Sequence, residues 1–151
     1  MIIHDEILIF HALRHRDDQL IVEGLARNHG RISFVVRISH APRAKIRHTI
    51  FQPMAVLEVE WEEKPRAKLM RPISARVAQP WRSLHTSPIK ATLTLFLAEF
   101  LMQVCRHEQS GELFFDYLLH SLTWLDTAEE GYPSALSHAL GAILGHLSQY
   151  R

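Results

Sequence analysis

Arg43, Lys45 and Arg47 occupy alternate positions in a stretch, residues 40–48, that has no apolar period and is broken by Pro42. On an exposed loop, side chains spaced this way can lie along a phosphate backbone. Each phosphate they neutralise releases counterions, so affinity would fall steeply with salt. Arg37, on the outward face of an expected strand, and Arg14 and Arg16, in an expected turn, could extend the contact. The competing reading is an ordinary solvated, mixed-charge surface. Arg27, Arg31, Lys64, Arg66 and Lys68 cluster at other turns. They read equally well as solubilising charges, and most are expected to touch no phosphate.

Other chemistries find little support. His11 and His15 are four apart, but on a strand and turn that spacing does not bring them to one side. His107-Glu108 lacks the second histidine of a zinc-protease helix, because Gly111 stands there. His138 and His146 are eight apart on one expected helix, with no carboxylate between them on that face. The eleven histidines therefore read as surface residues. Cys105 has no acid–base partner and reads as a packed thiol. No Ser-His-Asp order, phosphate loop or paired-carboxylate motif is present, so no catalytic residue, metal or cofactor is expected.

The basic segment lies among five expected strands: 7–13, 20–27, 32–38, 54–62 and 69–77. In the third, Ile32, Phe34, Val36 and Ile38 alternate with Ser33, Val35 and Arg37, the period of a half-buried strand. Asn28-His29-Gly30-Arg31 turns the second strand into the third, and this hairpin is expected at the centre of the unit. In the fourth, Leu57, Val59 and Trp61 alternate with Glu58, Glu60 and Glu62, one face buried and the other acidic. Pro72 cannot donate to a ladder and belongs at an edge or bulge. Five strands with short turns and no intervening helix suggest a sandwich or small barrel. Five is also the count of the partly open oligonucleotide-binding (OB) barrel.

The pattern changes near Gln79-Pro80. Ser87-Pro88 reads as a helix start, Ser capping and Pro at the first position. Ile89, Leu93, Phe96, Leu97, Phe100, Leu101 and Val104 then recur at steps of three and four. A second helix, 112–126, is apolar almost all round and should be central or covered on a second side. A third begins at Gly131-Tyr132-Pro133 and carries Leu136, Leu140, Ile143, Leu144 and Leu147. The expected architecture is thus β followed by α in two domains: a five-stranded OB-type barrel over 1–80 and a small all-α helical domain over 81–151.

The 151 residues, 47% hydrophobic and 22% charged, suit a packed globular protein. One cysteine excludes an internal disulfide and fits a cytoplasmic setting. The acidic start, with Asp5 and Glu6, is unlike a signal peptide. The most apolar window, 93–104, is too short to span a membrane. Net charge is only +1, but residues 1–80 hold 13 basic against 9 acidic side chains and residues 81–151 hold 4 against 7. That asymmetry suggests an anionic partner for the first half. Phe34 and Trp61 alternate with apolar neighbours and read as core, while Phe10 and Phe51 are open between core and base-stacking platform. Backbone electrostatics should dominate, with weak sequence specificity.

Several local patterns come in a familiar order. Asp18-x-Leu20-Ile21-Val22 precedes Gly30-x-Ile32-Ser33; Ile50-Phe51-Gln52-Pro53-Met54 follows the basic loop; Phe96-Leu97-Ala98-Glu99 and Glu112-Leu113-Phe114 mark the helical half. In these the chain resembles the RecO family of bacterial recombination mediators, from Glu6 to about Leu147. The resemblance implies an OB barrel and a helical domain, binding of single- and double-stranded DNA, and strand annealing without catalysis. It also implies work with RecR and with the acidic tail of single-strand-binding protein (SSB), and help in loading RecA on the nucleoid. The chain departs from the family at Glu6 and Ile38–Ser39, where glycines are usual, and at Ala26, where threonine is. Its helical half is also short for the family and lacks the zinc-binding cysteines of some members, so a truncated chain is expected. Lys90, Arg106 and Arg82 are the bases available to edge a groove for the SSB tail; the competing reading of that region is plain interdomain core. The alternative function is a protein-interaction module of the same fold that hardly binds DNA.

Overall fold

A computed structural model describes residues 1–106, 112–129 and 141. Five strands form one antiparallel sheet: β1 (Ile2–Arg16), β2 (Gln19–Ala26), β3 (Gly30–Arg37), β4 (Val56–Glu62) and β5 (Pro72–Gln79). Two helices follow, α1 (Pro88–Val104) and α2 (Glu112–Thr127). The expected third helix lies outside the described residues, as do His107, Glu108, His138 and His146.

The strand order is β3-β2-β1-β4-β5. Four of these neighbours give the order 4-1-2-3 of a Greek key, with β5 added beside β4. The middle strand is therefore β1, not the β2–β3 hairpin expected at the centre. Its run Ile7-Leu8-Ile9-Phe10 is buried on both faces. Ile7 and Ile9 pack inside the curved sheet with Val22, Phe34, Leu57 and Trp61. Leu8 and Phe10 point the other way, to Leu97, Leu101, Phe115 and Leu118 of the helices. A continuous apolar run is the signature of a strand covered twice.

β1 is also longer than its apolar run. It continues through Arg14 and Arg16, pairing Arg14 with Leu20 and Arg16 with Gln19. Only Asp17 and Asp18 make the turn. Hydrogen bonding to β2 carries the strand past the end of the apolar pattern. The hairpin between β2 and β3 forms as expected, Ala26 pairing with Gly30. Gly30 has φ 71°, a conformation in which a Cβ is costly. Gly24 is required for another reason: a Cβ there would lie 2.5 Å from the Leu8 carbonyl oxygen.

The sheet curls but does not close. Its edges meet at one parallel bridge, Phe34 with Met70, where the Val35 N–H donates to the Met70 carbonyl (2.9 Å) and the Met70 N–H to the Ser33 carbonyl (3.0 Å). The next parallel pairing would need an N–H from residue 72, which is proline. Pro72 is thus the first residue of an edge strand, next to a register shift between Glu60 and Trp61. Both helices begin close to where the sequence places them. The Ser87 hydroxyl accepts from the Lys90 N–H, with Pro88 at the first helical position. α2 buries Phe114, Phe115, Leu118, Leu122 and Leu125 but leaves Leu113 and Trp124 exposed, so its cover is one-sided among the described residues.

Candidate nucleic-acid interface

Register brings three of the candidate cations to one end of the sheet. Gln19 of β2 pairs with Arg16 on one side and Arg37 on the other; Leu20 likewise lies between Arg14 and Val36. Arg16 and Arg37 are thus two strands apart, about 10 Å at ordinary strand spacing. The Ile38 N–H donates to the Asp18 carbonyl (2.7 Å), fastening the end of β3 to the tip of the β1–β2 hairpin. Arg14 and Arg16 are therefore strand residues, which corrects the turn expected for them.

Arg43, Lys45 and Arg47 lie on the irregular segment between β3 and the short 3-10 turn His48–Ile50. Lys45 and Arg37 line one cavity of about 300 Å³, together with Arg71; Arg43 and Arg47 do not reach it. All six candidates are exposed, and none makes an ion pair among the described residues. Asp17 and Asp18, exposed at the same tip, temper the positive field. Arg71 was not among the candidates, since one arginine beside a strand-edge proline carries no periodic signal.

The cations at the opposite end have partners. Arg27 pairs with Asp116 of α2 and with Glu6 (3.4 Å), and its guanidinium lies 4.4 Å from the centre of the Phe115 ring. Burial alone would lower its pKa; the Asp116 hydrogen bond and the charges of Glu6 and Asp116 more than offset that and raise it. Arg31 donates to Glu23 (3.0 Å) and lies over Phe10 at 5.0 Å. Arg27 thus joins the sheet to α2, while Arg31 is paired within the sheet.

Asp5, read from sequence only as a charge at the chain start, is buried under the β2–β3 turn. It accepts from the Asn28 N–H (2.8 Å) and Nδ2 (3.1 Å) and contacts His29 Nδ1 (2.8 Å). The Phe51-Gln52-Pro53-Met54 motif is likewise structural. Phe51 is core; the His85 ring meets the Pro53 carbonyl (2.7 Å); Trp81 Nε1 donates to the Met54 carbonyl (2.8 Å). Met54 itself has φ 64° and donates its N–H to the Ile9 carbonyl (2.7 Å).

Of the three bases suggested for an SSB-tail groove, Lys90 is not available. It is buried, with Nζ donating to Ser83 Oγ (2.8 Å) and the Asp126 carbonyl (3.0 Å). The Asp126 carboxylate accepts the N–H groups of Arg82 (2.9 Å), Ser83 (2.7 Å) and Leu84 (3.1 Å). Burial would raise the Asp126 pKa; those three N–H groups and the Lys90 charge outweigh it and hold the carboxyl below its usual range. The Arg106 guanidinium donates to Gln103 (3.1 Å). Phe10, Phe34, Phe51 and Trp61 are all core, which resolves the two left open and removes them as stacking platforms. Cys105 is buried at the end of α1, as expected of a packed thiol.

Among the described residues no helix is long and apolar enough to cross a membrane. Residues 1–81 match the family model described as the N-terminal part of recombination protein O. A DNA repair protein RecO of Bacteroides fragilis is 36% identical over 122 residues, 81% of this chain and 50% of that protein. One of Phocaeicola vulgatus is 33% identical over 125 residues, 83% of this chain and 52% of its own. One of Christiangramia forsetii is 30% identical over 131 residues, covering 86% and 55%. The chain thus spans about half the length of the curated relatives it matches.

Proposed function

This chain belongs to the RecO family of DNA repair proteins, and from that premise we propose that it binds single- and double-stranded DNA through the basic end of its sheet. In this reading residues 1–80 act as an OB-type nucleic-acid-binding domain and residues 81–151 as a helical domain for protein contacts. The protein promotes annealing and assists RecA loading without catalysing a reaction. Its partners are a RecR-like protein, the SSB tail and RecA, and it works in the cytoplasm on the nucleoid.

The observation that carries the reading is that Arg14, Arg16 and Arg37 share one end of the sheet, with Lys45 on the same cavity as Arg37, and that these four, like Arg43 and Arg47 on the neighbouring segment, are exposed and have no ion-pair partner among the described residues. Charges that stabilise a fold are paired, as Arg27 and Arg31 are. Cations held near one another and left to water are suited to meet phosphates. With Phe10, Phe34, Phe51 and Trp61 in the core, the contact is electrostatic and weakly sequence-specific.

Fluorescence anisotropy with labelled single-stranded DNA at two salt concentrations tests it. Binding should weaken steeply with salt. The triple variant Arg43→Ala, Lys45→Ala, Arg47→Ala should lose on the order of tenfold or more in affinity and flatten the salt dependence. Absence of binding at low salt would sink the proposal. The protein-interaction alternative draws on one observation of its own: Ile89, Leu95 and Phe96 of α1 and Leu113 and Trp124 of α2 are exposed. Capture of an SSB-tail peptide without DNA binding would favour it.

A further inference from the structure

The place where the sheet fails to close is also where three cations converge. Past the Phe34–Met70 bridge Pro72 has no N–H to offer, so the edges of β3 and β5 part. The opening is a cavity of about 300 Å³, at the small end of ligand pockets, lined by Arg37, Lys45 and Arg71 with Val36 and Ile46. Among the described residues no carboxylate lines it. Arg37, Lys45 and Arg71 are exposed and take part in no ion pair among the described residues.

Resting on the DNA-binding reading above, we propose that this seam seats a backbone phosphate of single-stranded DNA, with Arg71 as its principal clamp. The strand would then cross the open edge between β3 and β5 and not the curved face, whose aromatic side chains are spent in the core. Three cations from three separate chain segments around one concavity can neutralise a phosphodiester from several sides. Two of them are guanidinium groups, which grip phosphate oxygens in a planar fork.

The test is anisotropy of labelled oligothymidylate on the whole chain over a salt series. Arg71→Ala should weaken binding about 5- to 10-fold and flatten the log–log salt slope by about 0.7, the value of one phosphate on a single strand. Arg71→Lys keeps the charge but loses the fork, and should fall between the two. Ala44→Glu, which adds a carboxylate on the cavity wall and removes no base, should weaken binding at least as much as Arg71→Ala. Arg66→Ala removes an equal charge outside the cavity and should stay within about twofold of wild type. Circular dichroism verifies the fold of each variant. If Arg71→Ala and Ala44→Glu bind like wild type while the Arg43, Lys45 and Arg47 triple weakens, the seam is refuted and the DNA reading survives. Equal losses for Arg66→Ala and Arg71→Ala also refute it, leaving only diffuse charge. A wild-type chain that does not bind at low salt overturns both.

Discussion

Two sets of arginines sit at opposite ends of the same three strands, and their surroundings differ. Arg27 and Arg31, near the β2–β3 turn, each have a carboxylate and an aromatic ring. Arg14, Arg16 and Arg37, at the other end, are exposed and have no ion-pair partner among the described residues. The residue type and the strands are shared, so what separates them is neighbourhood. The helices pack over the first end and bring Asp116 and Phe115 to Arg27, while nothing described covers the second. The comparison teaches that the arginines of this sheet differ by neighbourhood: Arg27 ties α2 to the sheet, Arg31 is paired within the sheet, and Arg14, Arg16 and Arg37 have no ion-pair partner among the described residues.

The largest effect expected on the paired side is at the ionic cluster that fixes the end of α2 to the 82–84 segment. Asp126→Ala strips three backbone N–H groups of their acceptor and leaves Lys90 buried beside a weakened site. About 3 kcal/mol of stability should be lost in urea unfolding. Because the Asp126 pKa is depressed in the folded state, its contribution is fully present above the usual carboxylate range. It disappears as pH falls through the folded pKa, so wild type and variant should converge in strong acid.

Arg27→Ala should come next, at about 2 kcal/mol, through the lost Asp116 and Glu6 pairs and the Phe115 contact. Its DNA affinity, measured where the variant is folded, should be within about twofold of wild type. A large loss of affinity with unchanged stability would break the comparison.

Arg16→Ala and Arg37→Ala should invert that pattern. Stability should stay within about 0.5 kcal/mol of wild type, and DNA affinity should fall a few-fold with a flatter salt slope. The smallest effect is expected at Arg76, an exposed residue paired with Glu58 across β4 and β5. Arg76→Ala should change stability by less than about 0.5 kcal/mol and leave DNA binding unchanged, as exposed pairs commonly do.

Much of this was legible in the residues. The strand alternation around Phe34 and Leu57, the Gly30 turn, the Ser87-Pro88 helix start and the edge position of Pro72 are local features with a period or a backbone constraint. Two boundaries were not legible. β1 outruns its apolar stretch because its polar ends are held by hydrogen bonds to β2 and β4. The sheet stays open because a single missing N–H at Pro72 interrupts the closing ladder, which depends on which strand faces that residue.

The candidate site divides in the same way. Composition and spacing marked Arg43, Lys45 and Arg47 as a possible phosphate contact, and the charge asymmetry of the halves pointed to the first. Sequence alone could not say that Arg16 stands two strands from Arg37, that Arg71 shares a cavity with Lys45, or that Lys90 is sequestered by Asp126. The sequence by itself determined the strand alternation, the β2–β3 turn and the helix starts, because those follow from side-chain period and backbone freedom within a few residues. Only the tertiary structure decided which cations remain open to an anion, because the group that neutralises each one is distant along the chain, as Asp116 is from Arg27, and comes near only once sheet and helices have packed.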